Sequence, residues 1–400
     1  MSGWISIVGI GEDGLDGLSA AARTLVESAE VLAGGARHLA MIPDSHPAER
    51  LAWQSPFDGS LRDLRAHEGR RVTVLATGDP MHYGVGATLA REMPDAVAAV
   101  VPTPGAFSLA AARMGWALQD VTCLTLHGRL AEQIYLHLYP GARLVILSEG
   151  RDTPVRVAAL LTARGFGASR LTVLEHMGGR RESRREGLAR EWGDGPVADL
   201  NTIAVECSAW PEAPVYSRVQ GLPDDAFEHD GQMTKREVRA ATLAVLAPLP
   251  GQLLWDVGAG CGSVGIEWMR AGGRAIGIES VAGRAAMAAR NAAALGVPGL
   301  EIVIGAAPGA LAGLATPDTV FIGGGIGTEG VFEACWEALG SGGRLVANTV
   351  TLEGEAALAG FQQKYDGELV RLAVSRLSPV GKLHGWKPLM PVTQWQAVKP

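Results

Sequence analysis

The sequence predicts an α/β chain of two domains, each built on a largely parallel sheet. Three observations carry that prediction. Apolar runs of strand length alternate with Ala-rich helical patterns along most of the chain. A stretch rich in Pro and acids, from Trp210-Pro211-Glu212-Ala213-Pro214 through Leu222-Pro223-Asp224-Asp225, interrupts the alternation. A length of 400 residues exceeds what one core organises and suits two. The domains are expected over 1–208 and 229–400, with 209–228 as a linker.

In the first half, strands are expected at Trp4–Ile10, Arg71–Ala76, Val97–Val101, Val121–Leu126, Arg143–Leu147, Arg170–Glu175 and Thr202–Cys207. Between them, helices are expected at Ser19–Ser28, with Ser19 as its N-cap, and at Val85–Glu92, Ala106–Met114 and Pro154–Arg164. The second half resumes with a helix at Lys235–Leu246. Strands follow at Leu253–Val257, Arg274–Ile278, Leu300–Ile304, Thr319–Ile322 and Arg344–Asn348. The segment from Lys382 to Pro400, with prolines and tryptophans, reads as a covering segment.

Hydrophobic residues make up 47% of the chain and charged residues 19%, a globular composition. A formal net charge of −7 gives no reason to expect a nucleic-acid partner. Cys123, Cys207, Cys261 and Cys335 are scattered without CxxC spacing, so neither a disulfide framework nor a metal site is expected. With no membrane-length apolar run and a strand beginning at Trp4, the expected setting is the cytoplasm. The first Lys is Lys235, every earlier basic residue being Arg or His. Arg180-Arg181 and Arg184-Arg185 read as a solvated loop or helix face, or as a landing site for a polycarboxylate.

Strand Leu253–Val257 carries Asp256 and turns through Gly258-Ala259-Gly260-Cys261-Gly262-Ser263 into a helix at Val264–Arg270. Glycines let the backbone approach a ligand closely, and ligands of open α/β sheets lie at the carboxyl ends of strands. Glu279 ends the next strand about 20 residues later, where an acid takes both ribose hydroxyls of an adenosine. A nicotinamide dinucleotide is the rival. Its G-x-G-x-x-G fingerprint fails at Ser263, and Asp256 suits an ammonium better than a pyrophosphate. The pattern therefore favours S-adenosylmethionine.

Gly231-Gln232-Met233-Thr234-Lys235-Arg236-Glu237-Val238-Arg239, Phe321-Ile322-Gly323-Gly324-Gly325 and Leu345 to Glu353 make the second half resemble the decarboxylating precorrin methyltransferases of cobalamin biosynthesis, over roughly 229–360. The resemblance implies a Rossmann-like class I methyltransferase fold, methylation at carbon 15 and loss of CO₂ from the ring C acetate. Thr234, Asp256, Gly258, Ala259, Gly260, Gly262, Ser263, Glu279, Ala306 and Ala307 would then hold the donor. Ala306 stands where that family tends to have an acid. Lys235 or Arg239 would steer the departing carboxylate, with Asn348, Thr349 and Glu353 in the same pocket.

The early Gly9-Ile10-Gly11-Glu12-Asp13-Gly14 matches a dinucleotide turn, without a convincing acid downstream. More telling is the set Thr77-Gly78-Asp79-Pro80, Pro104-Gly105-Ala106-Phe107-Ser108 and His127-Gly128-Arg129. It resembles the tetrapyrrole methylase family over about 3–207, and the branch acting at carbon 5. That resemblance implies two α/β lobes with S-adenosylmethionine folded between them. Gly78, Asp79, Pro80, Ala106, Phe107, Ser108 and Met177 would hold the donor, and Asp79 and His127 would face the chemistry. Taken singly, Gly78-Asp79-Pro80 is an ordinary turn and His127 a structural histidine. Ser148-Glu149 departs mildly from the family pattern.

Together the resemblances imply a bifunctional enzyme with two donor sites. It would take a precorrin-6 tetrapyrrole to precorrin-8 and need no metal, and self-association is an expectation carried over from such folds. The alternatives are a two-domain methyltransferase acting on a non-corrinoid substrate such as RNA, and a ligand sensor.

Overall fold

A computed structural model describes residues 3–400, which divide into two compact units. One comprises the chain up to Ala131 together with Tyr139–Pro214, and the other Glu132–Leu138 with Val215–Pro400.

The first unit holds two sheets. In one, five parallel strands run in the order Glu49–Ala52, Val31–Gly34, Val72–Thr77, Ile5–Ile10, Val97–Val101. A parallel sheet is covered on both faces, so its strands must be apolar on both sides. Ile5–Ile10 meets that demand by alternation. Ile5 and Ile7 pack with Val72, Val74 and Leu89 on one face. Val8 and Ile10 pack with Ala22, Val26 and Leu75 on the other. Helix Ala20–Glu27 starts where its cap predicts, the Ser19 hydroxyl accepting from Ala22 N at 3.3 Å. The second sheet orders Thr122–Thr125, Arg143–Leu147, Asn201–Glu206, Arg170–Glu175, Ser183–Leu188, with only the first pair parallel.

Of the basic cluster, Arg180 and Arg181 lie in a turn, as the loop reading expects, whereas Arg184 and Arg185 belong to the edge strand, where charge blocks edge-to-edge pairing. Arg184 donates to Glu186 at 2.5 Å, and the Arg185 guanidinium lies 4.6 Å over the Trp192 ring.

The second unit is a seven-stranded sheet in the order Glu301–Ile304, Arg274–Glu279, Leu253–Val257, Thr319–Ile322, Arg344–Thr349, Val392–Val398, Glu368–Leu372. The first five strands are parallel, and Val392–Val398 enters antiparallel between Arg344–Thr349 and Glu368–Leu372. Of the segment expected as a cover, Val392–Val398 is thus an inner strand, while Leu383–Pro388 pairs with Ser375–Val380 in a separate two-stranded sheet. Trp395 is fully buried at the centre of an aromatic cluster with Phe332, Trp336 and Phe361. Gln394, polar and buried, donates to Thr242 at 3.0 Å and to Asn348 at 2.8 Å, which offsets its desolvation. Residues 215–228, expected as linker, lie on this unit and bury Leu222 and Phe227 in its core. Among the described residues no helix is long and apolar enough to cross a membrane.

Candidate active sites

In the second unit the carboxyl ends of the strands open into a cleft of about 1000 Å³, lined by Thr234, Lys235, Asp256, Gly258, Ala259, Gly260, Ser263, Glu279, Ala306, Ala307 and Asn348. The chain needs glycine at 258, where φ is +76° and an added Cβ would sit 3.0 Å from Gly324 N. Two strand-end turns thereby meet backbone to backbone beside the ligand space.

Asp256 is 1% exposed, and one carboxylate oxygen accepts from Gly265 N at 2.9 Å. Burial pushes its carboxyl up to about 7, against the Gly265 hydrogen bond and with a further push from Glu279. No cationic side chain pairs with it among the described residues. A buried carboxylate without a cation is a place for an ammonium, so this residue fits the amino-acid tail of S-adenosylmethionine. Glu279 accepts from Gly260 N and from Val281 N, both at 2.8 Å. Those bonds fix the carboxylate in place, and its remaining lone pairs can accept ribose hydroxyls.

One wall is the segment Gly231–Lys235. Arg284 holds it, donating to Asp230 at 2.7 Å and to Gln232 at 2.8 Å, a latch the sequence did not disclose. Lys235 lies in this wall, its ammonium 3.3 Å from Gly231 O. Asn348, also in the lining, donates to Thr242 at 2.9 Å.

Three expected residues fall outside the cleft: Gly262, buried against Ala288 at the start of its helix, Arg239 and Glu353. Arg239 is fully buried behind the cleft, donating to Glu267 at 2.6 Å, to Asp224 at 3.3 Å, to Thr234 O at 2.6 Å and to Leu222 O. One helical turn beyond Lys235, it faces inward, and its donors are committed to holding residues 222–234 against helix Ser263–Arg270. Glu353 is exposed in the first turn of helix Leu352–Tyr365, where its charge suits the helix dipole. Thr349, by contrast, does line the cleft.

In the first unit, Gly78 has φ +60° and an added Cβ would lie 2.6 Å from Gly105 Cα. Gly9 is as tightly placed, since its Cβ would come 1.9 Å from Gly78 O. That close backbone approach requires the first glycine of the early motif. Asp79 accepts from Met81 N at 2.9 Å, a turn that holds the segment after Pro80. Ala106, Phe107 and Ser108 open a helix capped by Gly105. Phe107 and Met177, distant in sequence, share one buried cluster with Leu174 and Ala204. His127 is exposed at the end of its strand.

Beside Gly78 lies a polar network invisible to the sequence. Arg37 and His38 both reach the Thr77 hydroxyl, at 2.9 and 2.8 Å, while Glu12 pairs with Arg37 and with His176 at 2.8 Å. Burial, with Arg37 alongside, pushes His38 down to about 4 and keeps it neutral. Burial works against the Glu12 charge, yet the His176 hydrogen bond and Arg37 hold its carboxyl below the ordinary value.

Both halves have matches among known proteins. Residues 5–192 match the model for tetrapyrrole (corrin/porphyrin) methylases, and residues 225–399 the model for the precorrin methyltransferase domain. A precorrin-6Y C(5,15)-methyltransferase [decarboxylating] from Sinorhizobium sp is 48% identical over 401 residues, covering 100% of this chain and 97% of that protein. One of the same name from Mycobacterium tuberculosis H37Rv is 42% identical over 99% of this chain and 100% of its own. A crystallised C-terminal domain of precorrin-6Y C5,15-methyltransferase from Rhodobacter capsulatus is 46% identical, covers 46% of this chain and 100% of its own, and superposes with a TM-score of 0.44. Identity of this order, sustained across both units, places the chain in the family of decarboxylating precorrin-6Y C(5,15)-methyltransferases.

Proposed function

We propose that this chain is a bifunctional S-adenosylmethionine-dependent enzyme of cobalamin biosynthesis. It methylates carbons 5 and 15 of a precorrin-6 tetrapyrrole and removes the ring C acetate carboxyl, giving precorrin-8. The observation that carries the reading is the buried Asp256, without a cationic partner among the described residues, in the lining of a cleft that also presents Lys235. The site in the second unit serves carbon 15, and the glycine-lined turns at Gly78 and Gly105 in the first unit serve carbon 5.

S-adenosylmethionine supplies an electrophilic methyl group to each site. The residues have the remaining work. Asp256 would hold the donor's ammonium and Glu279 its ribose hydroxyls, which would orient its methyl toward a bridging carbon. The cleft walls exclude water while the carbon–carbon bond forms. Lys235 orients the acetate carboxylate while the bond between its carboxyl carbon and the side-chain methylene breaks; CO₂ leaves, the electron pair passes into the ring conjugation, and a proton then returns to the methylene carbon to leave a methyl group on ring C. Asp79 faces the substrate in the first unit, with His127 at the neighbouring strand end. We place this chemistry in the cytoplasm, on the strength of four cysteines that stand as free thiols.

Mass spectrometry of precorrin-6Y incubated with the full chain and methyl-labelled donor tests the reading. Two labelled methyls gained and one CO₂ lost are expected. Label transferred to RNA with none on the tetrapyrrole would overturn it.

A further inference from the structure

The segment after Asp79-Pro80 carries an aromatic arrangement that no role assigned above uses. Tyr83 has φ +56°, in the left-handed region where a bulky side chain is strained. The strain is imposed from below. The Asp79 carboxylate fixes Met81, and the backbone then doubles back so closely that a Cβ on Gly84 would sit 2.5 Å from Pro80 O. The result is a Tyr83 ring 51% exposed on a tightly wound turn.

That ring is not isolated. It stacks on His82 at 5.1 Å and 22°, and His82 lies 4.6 Å from Phe107, which belongs to the turn beside Gly78. The Arg129 guanidinium stands 5.7 Å over the Tyr83 ring, exposed, with no carboxylate partner among the described residues. Met81 and Leu130 extend the surface, 47% and 59% exposed. A strained, solvent-facing ring beside a free guanidinium suits a ligand with a flat conjugated face and peripheral carboxylates.

We propose that Tyr83 and Arg129 form the platform on which the tetrapyrrole lies for carbon-5 methylation, Tyr83 stacking on its face and Arg129 taking a side-chain carboxylate. This rests on the reading that the first unit serves carbon 5. Tyr83 and Arg129 are positioning residues; they orient the macrocycle and take no part in bond making.

The test uses the full chain with precorrin-6Y and labelled donor, scoring carbon-5 and carbon-15 methylation separately. Base-on-aromatic stacking contributes the equivalent of roughly 5- to 100-fold in affinity, so Tyr83→Ala is expected to raise KM for the carbon-5 step about tenfold or more. Carbon-15 methylation and CO₂ release should stay unchanged, and Tyr83→Phe should restore KM. Arg129→Met should raise the same KM and weaken its salt dependence. Tyr83→Gly separates platform from packing: it relieves the backbone, so its Tm is expected at or above wild type while KM stays high. A KM for Tyr83→Ala within twofold of wild type, or a lowered Tm with unchanged KM for Tyr83→Gly, would overturn the platform. A wild-type chain that delivers no carbon-5 methyl would instead sink the functional reading, and this inference with it.

Discussion

Raising the pH through the range in which Asp256 ionises gives the sharpest test of the donor site in the second unit. Its carboxyl is pushed up to about 7 by burial, whereas in the unfolded chain it titrates near the ordinary value of 3.8. The folded protein therefore holds a proton that the unfolded chain has lost over the interval between those values. Ligand-free stability should fall as pH rises through that interval and level off above it, by on the order of 4 kcal/mol in total. An ammonium brought against Asp256 reverses the preference and expels the proton. Apparent donor affinity at this site should then weaken roughly eightfold from pH 7.5 to pH 6, with about 0.9 proton released per donor at pH 6. The window is kept below the donor's own amino group, which titrates at about 7.7–8.0. Calorimetry in buffers of different ionisation enthalpy reads both quantities, and Asp256→Asn supplies the blank for any other site. That variant should lose about 3 kcal/mol of donor binding, roughly 100-fold, because the ammonium would be buried without its counter-charge. A dissociation constant flat within twofold from pH 5.5 to 7.5, with no proton release, would refute the role given to Asp256.

Three further outcomes follow from the site geometry. Arg239→Met leaves the buried Glu267 without its cation, while Asp224 keeps Arg376, so it should destabilise the second unit by about 3–5 kcal/mol in urea unfolding, while carbon-5 methylation persists. Lys235→Met should cut CO₂ release at least tenfold with carbon-15 methyl transfer retained; unchanged release would remove Lys235 from the mechanism. Asp79→Ala should abolish only the carbon-5 transfer, so that a singly methylated, decarboxylated product accumulates. Loss of both methyl additions would contradict separable sites.

Long apolar strands and the turns at their ends were legible in the sequence because each is a local signal. Val97–Val101 and Arg143–Leu147 stand where periodicity puts them, and the glycines around Asp256 declare a turn without any tertiary information. Short or charged strands were not. Val31–Gly34 has four residues, and Glu49–Ala52 and Ser183–Leu188 are edge strands whose charge mimics loop. Val392–Val398 escaped notice because Gln394 is polar yet buried, held by Thr242 and Asn348 from elsewhere in the chain. The same limit applies to side-chain roles. Lys235 and Arg239 are one helical turn apart and equally cationic, and only packing against Glu267 shows that one faces the cleft and the other the core. Glu12 and His176 meet across 164 residues, a pairing no local pattern announces.

A separate donor site in each unit is the central claim. Titrating the full chain with S-adenosylmethionine by calorimetry counts those sites directly. Two equivalents are predicted for wild type and one for Asp256→Asn. A single equivalent in the properly folded wild-type chain would contradict the account.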